Sequence, residues 1–251
     1  MDDGSNTVKA MPVIGISSQS RGQTGMNYLF VVAHPDDEVL GAGAFLHKIT
    51  AEGNRADVCI LCGEAGARKN RPGIQKLYKD IVSCCRILGV HKVYLGKFPN
   101  IEFNTVPHLK LVKFIEEILT VTQADMVFTH HPADMNNDHY YTSIACQAAV
   151  RLFQRKENIK PIKELLYLEI PSSTEWNLNP TLPPFTPNVF VEVKEEGIDT
   201  KIKALSQYEG VMRPYPHPRS EEAIKGLAAY RGSQAGLLLA EAFECAFRRI
   251  Y

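Results

Sequence analysis

The chain has 251 residues, 45% hydrophobic and 22% charged, a composition that suits one large folded α/β domain and excludes a disordered chain. Lys plus Arg and Asp plus Glu number 28 each, so no basic excess exists to meet a nucleic-acid backbone or an anionic membrane. No apolar run approaches the roughly 20 residues that span a bilayer, and no basic stretch leads into a long apolar one near the start, so neither an integral membrane segment nor a signal peptide is expected and the location reads as cytoplasmic.

Residues 1–25 are rich in Ser, Gly, Asp and Gln and read as a flexible tail, with Met11–Ile16 docking locally; residues 26–251 read as one domain. Tyr28–Ala33 is expected as a strand and Glu38–Glu52 as a helix whose apolar face carries Val39, Leu40, Phe45, Leu46 and Ile49. Gly41 and Gly43 in that helix permit close approach to a sheet. Ala56–Cys62 reads as a strand, Gly63–Arg68 as a loop and Ile74–Leu88 as a helix stopped by Gly89. Lys92–Leu95 is a short strand, His108–Thr122 a helix, Met126–Thr129 a strand and Asp138–Gln154 a helix. Leu165–Ile170 and Val189–Val193 look like strands around a Pro-rich loop, Pro171–Pro187, that holds Trp176. Asp199–Tyr208 reads as a helix. Arg213–Ser220 holds three prolines and reads as a stiff loop presenting His217. Ser220 reads as the cap of a further helix, and Ser233–Arg249 as a closing amphipathic helix. The alternation predicts a Rossmann-like α/β fold, an open and mostly parallel sheet flanked by helices, with ligands at the carboxyl ends of the strands.

Both polar clusters of the chain fall at such ends. Ala33-His34-Pro35-Asp36-Asp37-Glu38 follows the first strand, and His130-His131-Pro132-Ala133-Asp134-Met135-Asn136-Asn137-Asp138-His139 ends the fourth. Ionisable groups at the end of a buried strand are costly unless a cation or a reaction uses them. Catalytic zinc takes three protein ligands and keeps a position open for water. His34 and Asp37 span one tight turn and can face one ion, His139 can complete the set, and Asp36 is then free as general base toward water acidified by the metal. Glu38 suits the positive end of its helix or supports a ligand. Taken singly, His34 fits a core histidine, and Asp36, Asp37 or Asp138 fits a helix cap. His130 and His131 read as one pocket residue and one packing residue. Cys59 and Cys62 make a C-x-x-C, but inside an expected strand rather than at a helix N-terminus, and Cys84-Cys85 are adjacent rather than spaced, so the six cysteines read as small buried hydrophobes.

The His-Pro-Asp-Asp-Glu run, the apolar strand before it, the Gly-containing helix after it and the closing Ala228–Phe243 region resemble the LmbE-like, or PIG-L, family of zinc-dependent N-deacetylases. The resemblance implies hydrolysis of an N-acetyl group on an N-acetylglucosamine-type sugar or conjugate. It implies zinc on His34, Asp37 and His139, with Asp36 as general base; iron, cobalt or manganese also suit this donor set. Many family members carry a histidine where this chain has Asn136. An amide donates to an oxyanion but cannot titrate, so the leaving amine takes its proton from Asp36 or from another group, for which His217 is the candidate. Similar enzymes place a substrate arginine where this chain has Arg68. Arg213 and Arg219 are candidates for a substrate phosphate or carboxylate, with surface ion pairs as the alternative. Trp176 is a candidate for stacking on the sugar, with loop packing as the alternative. An amidase for a larger acyl group, or a sugar-binding relative without catalysis, fits the same residues. A homo-oligomer is left open.

Overall fold

The computed structural model describes residues 13–16, 25–63 and 73–250. In chain order the elements are β1 (Val13–Gly15), β2 (Asn27–Val32), α1 (Asp37–Ala51), β3 (Arg55–Ile60), α2 (Ile74–Ile87), β4 (Lys92–Leu95), α3 (His108–Thr122) and β5 (Met126–His130). They continue with α4 (Asn137–Ala149), β6 (Glu164–Leu168), β7 (Val189–Glu192), α5 (Glu195–Leu205), α6 (Glu221–Ala235) and β8 (Ala240–Arg248). One sheet runs β1-β4-β3-β2-β5-β6-β8-β7. The pairs from β4 through β3, β2 and β5 to β6 are all parallel, and β1, β8 and β7 add antiparallel edges. The expected Rossmann-like α/β architecture is therefore present.

Central parallel strands are covered on both faces, so their sequences are apolar at nearly every position. In β2, Phe30 and Val32 enter the core beneath α1, α2 and α5, while Leu29 and Val31 enter the core beneath α3 and α4. Phe30 stacks on Phe128 at 4.7 Å, and Phe243 closes on Phe128 at 5.1 Å. This aromatic layer fixes β2 beside β5, which sets the spacing of the two polar clusters beyond their ends.

α1 is broken at Ala42, where φ is −152°. A Cβ on Gly41 would stand 2.8 Å from Ile170 Cδ1 and 3.0 Å from Leu168 Cβ, so a side chain here would press on β6 and its neighbours, which must give way. The backbone groups freed by the break are taken up by a buried ion pair. Lys201 Nζ donates to Leu40 O at 2.8 Å and to Glu241 Oε1 at 2.6 Å, and Glu241 accepts from the N–H groups of Ala44 and Phe45.

Four sequence expectations change. Ser233–Arg249 is not a helix: α6 stops at Gly236, with φ +70°, and the chain returns as β8 between β6 and β7. The left-handed turn at Gly236 ends the helix, and Phe243, Cys245 and Phe247 recur every second residue, the strand period. α5 begins earlier than expected, at Glu195, and α4 ends at Ala149 before a 3-10 turn at Leu152–Gln154. Within the segment read as a tail, Val13–Gly15 forms the edge strand β1 against β4; the remainder of that segment before Gly25, apart from Ile16, lies outside the described residues. Five of the six cysteines, Cys59, Cys62, Cys84, Cys85 and Cys146, are buried, as the sequence suggests.

Candidate metal centre

From β2 the chain moves outward to β3 and β4 and then returns to β5 on the other side. The order reverses between β2 and β5, and in open α/β sheets this switch point is where ligands bind. His34, Asp36 and Asp37 leave the end of β2, and His130 to His139 leave the end of β5.

The cluster is buried and built as a triangle. His34 Nδ1 lies 3.4 Å from Asp37 Oδ2 and 3.3 Å from His139 Nε2, and His139 Nε2 lies 3.2 Å from Asp37 Oδ2. Donors on a tetrahedral zinc with bonds of roughly 2.1 Å stand about 3.4 Å apart. The outer atoms fix the tautomers. His34 Nε2 is 2.9 Å from Asp138 Oδ2, and His139 Nδ1 is 3.1 Å from Asp134 Oδ1. Each ring therefore directs one N–H outward, so that its inner nitrogen, once deprotonated, offers a lone pair inward, as in carboxylate–histidine–metal arrangements. Two imidazole lone pairs and one carboxylate oxygen face a common point, a donor set that fits a divalent transition metal.

The electrostatics agree with that fit. Burial alone would drive Asp37 toward the neutral acid, but His139, His34 and His130 hold its pKa well below the usual carboxylate range. Burial likewise opposes charge on His139, yet Asp37 and Asp134 raise it to about 10. Burial would raise Asp134, and His139 instead lowers it to about 2. The cluster pulls positive charge toward its centre. A second grouping, His130, Asp134 and His139, also has metal-ligand spacing. Most of its atoms are engaged: His130 Nε2 accepts from Ala33 N–H at 2.8 Å, and Asp134 accepts from Ser173 Oγ, Thr174 Oγ1 and Asn136 N–H, while His130 Nδ1 makes no hydrogen bond among the described residues. Burial and His139 lower His130 to about 3, so it is a neutral ring stacked 3.8 Å from His139.

Asp36 stands beside the triangle with φ 110°, a conformation that residues other than glycine adopt at a cost. Arg219 Nη1 reaches its Oδ2 at 3.3 Å, and Arg219 Nε donates to Ser172 Oγ at 2.7 Å.

A sequence profile of the PIG-L family, described as GlcNAc-PI de-N-acetylase, matches residues 29–150. The Escherichia coli (strain K12) protein named "Uncharacterized deacetylase YaiS" is 30% identical over 189 residues, covering 72% of this chain and 89% of that protein. The chain belongs to the PIG-L family. Solved structures share its fold. The conserved protein TT1542 from Thermus thermophilus superposes with TM-score 0.71 at 25% identity, covering 90% of this chain and 97% of that one. GalB, the 4-carboxy-2-hydroxymuconate hydratase of Pseudomonas putida KT2440, gives 0.70 at 21%, covering 90% and 98%. The N,N'-diacetylchitobiose deacetylase of Pyrococcus horikoshii gives 0.64 at 20%, covering 87% and 82%. A hydratase and a deacetylase on one fold mean that the reaction must be argued from the site.

In this PIG-L chain the structure brings His34, Asp36, Asp37 and His139 together with Arg219. Asn136 caps α4, its Oδ1 accepting from Asp138 N–H at 2.9 Å, while its Nδ2 makes no hydrogen bond among the described residues. The cap of α4 is thus Asn136 rather than Asp138. His217 does not hydrogen-bond any of the four clustered residues; its Nδ1 accepts from Arg219 N–H at 3.1 Å and its ring meets Trp176 edge-on at 6.2 Å. Burial and the two arginines Arg219 and Arg213 lower its pKa, which favours the neutral ring. Trp176 is 43% exposed and Arg213 is exposed. Arg68 lies outside the described residues. His131 faces Tyr167 and Phe185 and packs, whereas His130 joins the site.

Sequence reasoning missed Asp134 and Asp138, which orient the two histidines, and Ser173 and Thr174, which hold Asp134. The two aspartates were findable: both sit close before His139, in the polar run that follows the buried strand β5. Ser173 and Thr174 arrive from the loop after β6, and nothing in the sequence marks them.

Proposed function

We propose that this protein is a metal-dependent hydrolase that removes the N-acetyl group from an N-acetylglucosamine-type amino sugar or its conjugate. The observation that carries the reading is the triangle of His34, Asp37 and His139 with its outward N–H bonds and Asp36 beside it. Family membership supports deacetylation, and the family description and the neighbour that acts on diacetylchitobiose support an amino sugar.

His34, Asp37 and His139 would hold a divalent ion, zinc by preference, which when bound would supply Lewis acidity toward the acetyl carbonyl and lower the pKa of a water. Asp36 removes the proton as that water adds to the carbonyl carbon, and Arg219 fixes the carboxylate for the transfer. Asn136 Nδ2 donates to the carbonyl oxygen as negative charge grows on it. The C–N bond then breaks, Asp36 returns the proton to the departing nitrogen, and acetate and the free amine leave. His217 and Trp176 form a rim that receives the sugar ring, Trp176 with its apolar face and His217 with its Nε2–H. Arg213 is placed to meet an anionic group on a conjugate. Arg219 is taken from that role, because its guanidinium is spent on Asp36 and Ser172. The burial of five cysteines as small apolar side chains supports a reducing, cytoplasmic setting. No helix among the described residues is long and apolar enough to cross a membrane.

The test is acetate release from free N-acetylglucosamine, nucleotide-linked and alkyl-linked N-acetylglucosamine, and the matching N-butyryl and N-octanoyl sugars, with metal content measured. Fastest turnover on an acetyl substrate is expected. Turnover confined to the larger acyl groups would overturn deacetylation in favour of a wider amidase.

A further inference from the structure

Behind Asp36 runs a buried hydrogen-bond chain that takes no part in the chemistry above. Asp36 N–H donates to Glu38 Oε2 at 3.1 Å, and Glu38 Oε1 accepts from Tyr208 Oη at 2.7 Å. Glu38 is 0% exposed and Tyr208 4%. A third carboxyl group buried beside Asp36 and Asp37 is unfavourable through both desolvation and like charge, so its retention there asks for a compensating role. Tyr208 comes from the turn after α5, its own N–H donating to Leu205 O at 3.0 Å, and α5 packs along α1.

The left-handed backbone of Asp36 is what this chain secures. At φ 110° and ψ −27° the peptide would relax toward an ordinary helix start if its N–H were free to turn. Relaxation would swing the side chain away from the triangle, because Cβ direction follows φ and ψ. Glu38 holds the N–H, Tyr208 holds Glu38, and Arg219 holds the far end of the same residue at its carboxylate. The base is thus gripped at backbone and side chain by groups 170 and 183 positions from their partners in sequence.

We propose that Glu38 and Tyr208 are positioning residues that lock Asp36 in its left-handed conformation and so aim its carboxylate. The proposal rests on the reading of Asp36 as the base. The test compares Tyr208→Phe, Glu38→Ala and Glu38→Gln in full-length, metal-loaded protein. Turnover, KM, bound metal and hydrogen exchange of the amides of residues 33–40 are measured together. Tyr208→Phe, which removes one oxygen, should lower kcat about tenfold with KM and metal content unchanged and should speed exchange at Asp36. Glu38→Ala should do the same or more. Glu38→Gln should keep kcat within about threefold, because the carboxamide oxygen accepts from Asp36 N–H while its NH2 donates to Tyr208 Oη. Unchanged kcat and exchange in Tyr208→Phe, or Glu38→Gln as damaged as Glu38→Ala, would overturn the proposal. A wild-type protein that turns over no N-acyl sugar would refute the deacetylase reading instead, and the exchange measurements would still decide whether the lock exists.

Discussion

Arg219 Nη1 lies 3.3 Å from Asp36 Oδ2, joining the motif after the first long strand to a Pro-rich loop 183 positions later. Such a contact turns a substrate-binding candidate into a support for the base. Arg219→Ala should lower kcat/KM by about 10- to 100-fold, and equally for neutral and anionic substrates. Arg219→Lys should recover only part, because a lysine lacks the planar fork that reaches Ser172 and Asp36 together. Kinetics on uncharged and nucleotide-linked substrates check this; a loss confined to the anionic one would return Arg219 to substrate binding.

Asp138 accepts from His34 Nε2 and from the N–H groups of Ile101 and Phe103, so it aims one ligand and anchors the loop after β4. Asp138→Ala should weaken metal affinity by about 10- to 100-fold while leaving some activity at saturating metal. Competition with a chromogenic chelator measures it.

Stability of the metal-free protein should fall as pH rises. Burial raises Glu38 to about 8 from its ordinary 4.5, and Asp37 and Asp134 outweigh burial to raise His139 to about 10 from 6.5. Both folded-state values lie above the unfolded ones, so the native state holds more protons in these windows. The Glu38 contribution is complete below 4.5 and is lost as pH passes through about 8. The His139 contribution is complete below 6.5 and is lost through about 10. Urea midpoints of metal-stripped protein should therefore be higher near pH 6 than near pH 9. Metal should flatten the upper part of this slope, since it binds the deprotonated ring.

Lys201→Met should destabilise the protein by about 3–5 kcal/mol, because it strands the buried Glu241 carboxylate and frees Leu40 O at the break in α1. For a chain of this size that is a drop of roughly 10 °C in Tm. Calorimetry reads it directly, and the base variant Asp36→Asn provides a control without such a drop.

Much of this molecule is legible from residues alone. The apolar runs at Tyr28 and Met126 end in ionisable clusters, and that mismatch locates both halves of the site without any knowledge of strand order. Order then places them together, because alternating strands and helices leave few topologies. The failures have a common cause. Ala240–Phe243 carries no periodicity that separates strand from helix, so β8 stays hidden until Gly236 is seen to close α6. Asp138 resembles a cap because capping and orienting a histidine demand the same short carboxylate, and Asp134 has no distinguishing mark in a run already crowded with polar residues. The Arg219–Asp36 and Tyr208–Glu38 contacts join segments far apart in sequence, and no local pattern encodes them.

The most direct test of the central claim is acetate release from an N-acetylglucosamine substrate by three preparations: metal-stripped protein, the same protein with zinc restored, and zinc-loaded Asp36→Asn. The account predicts release only from the second, with zinc still bound to the third. Equal release from stripped and restored protein, or full activity in Asp36→Asn, would contradict it.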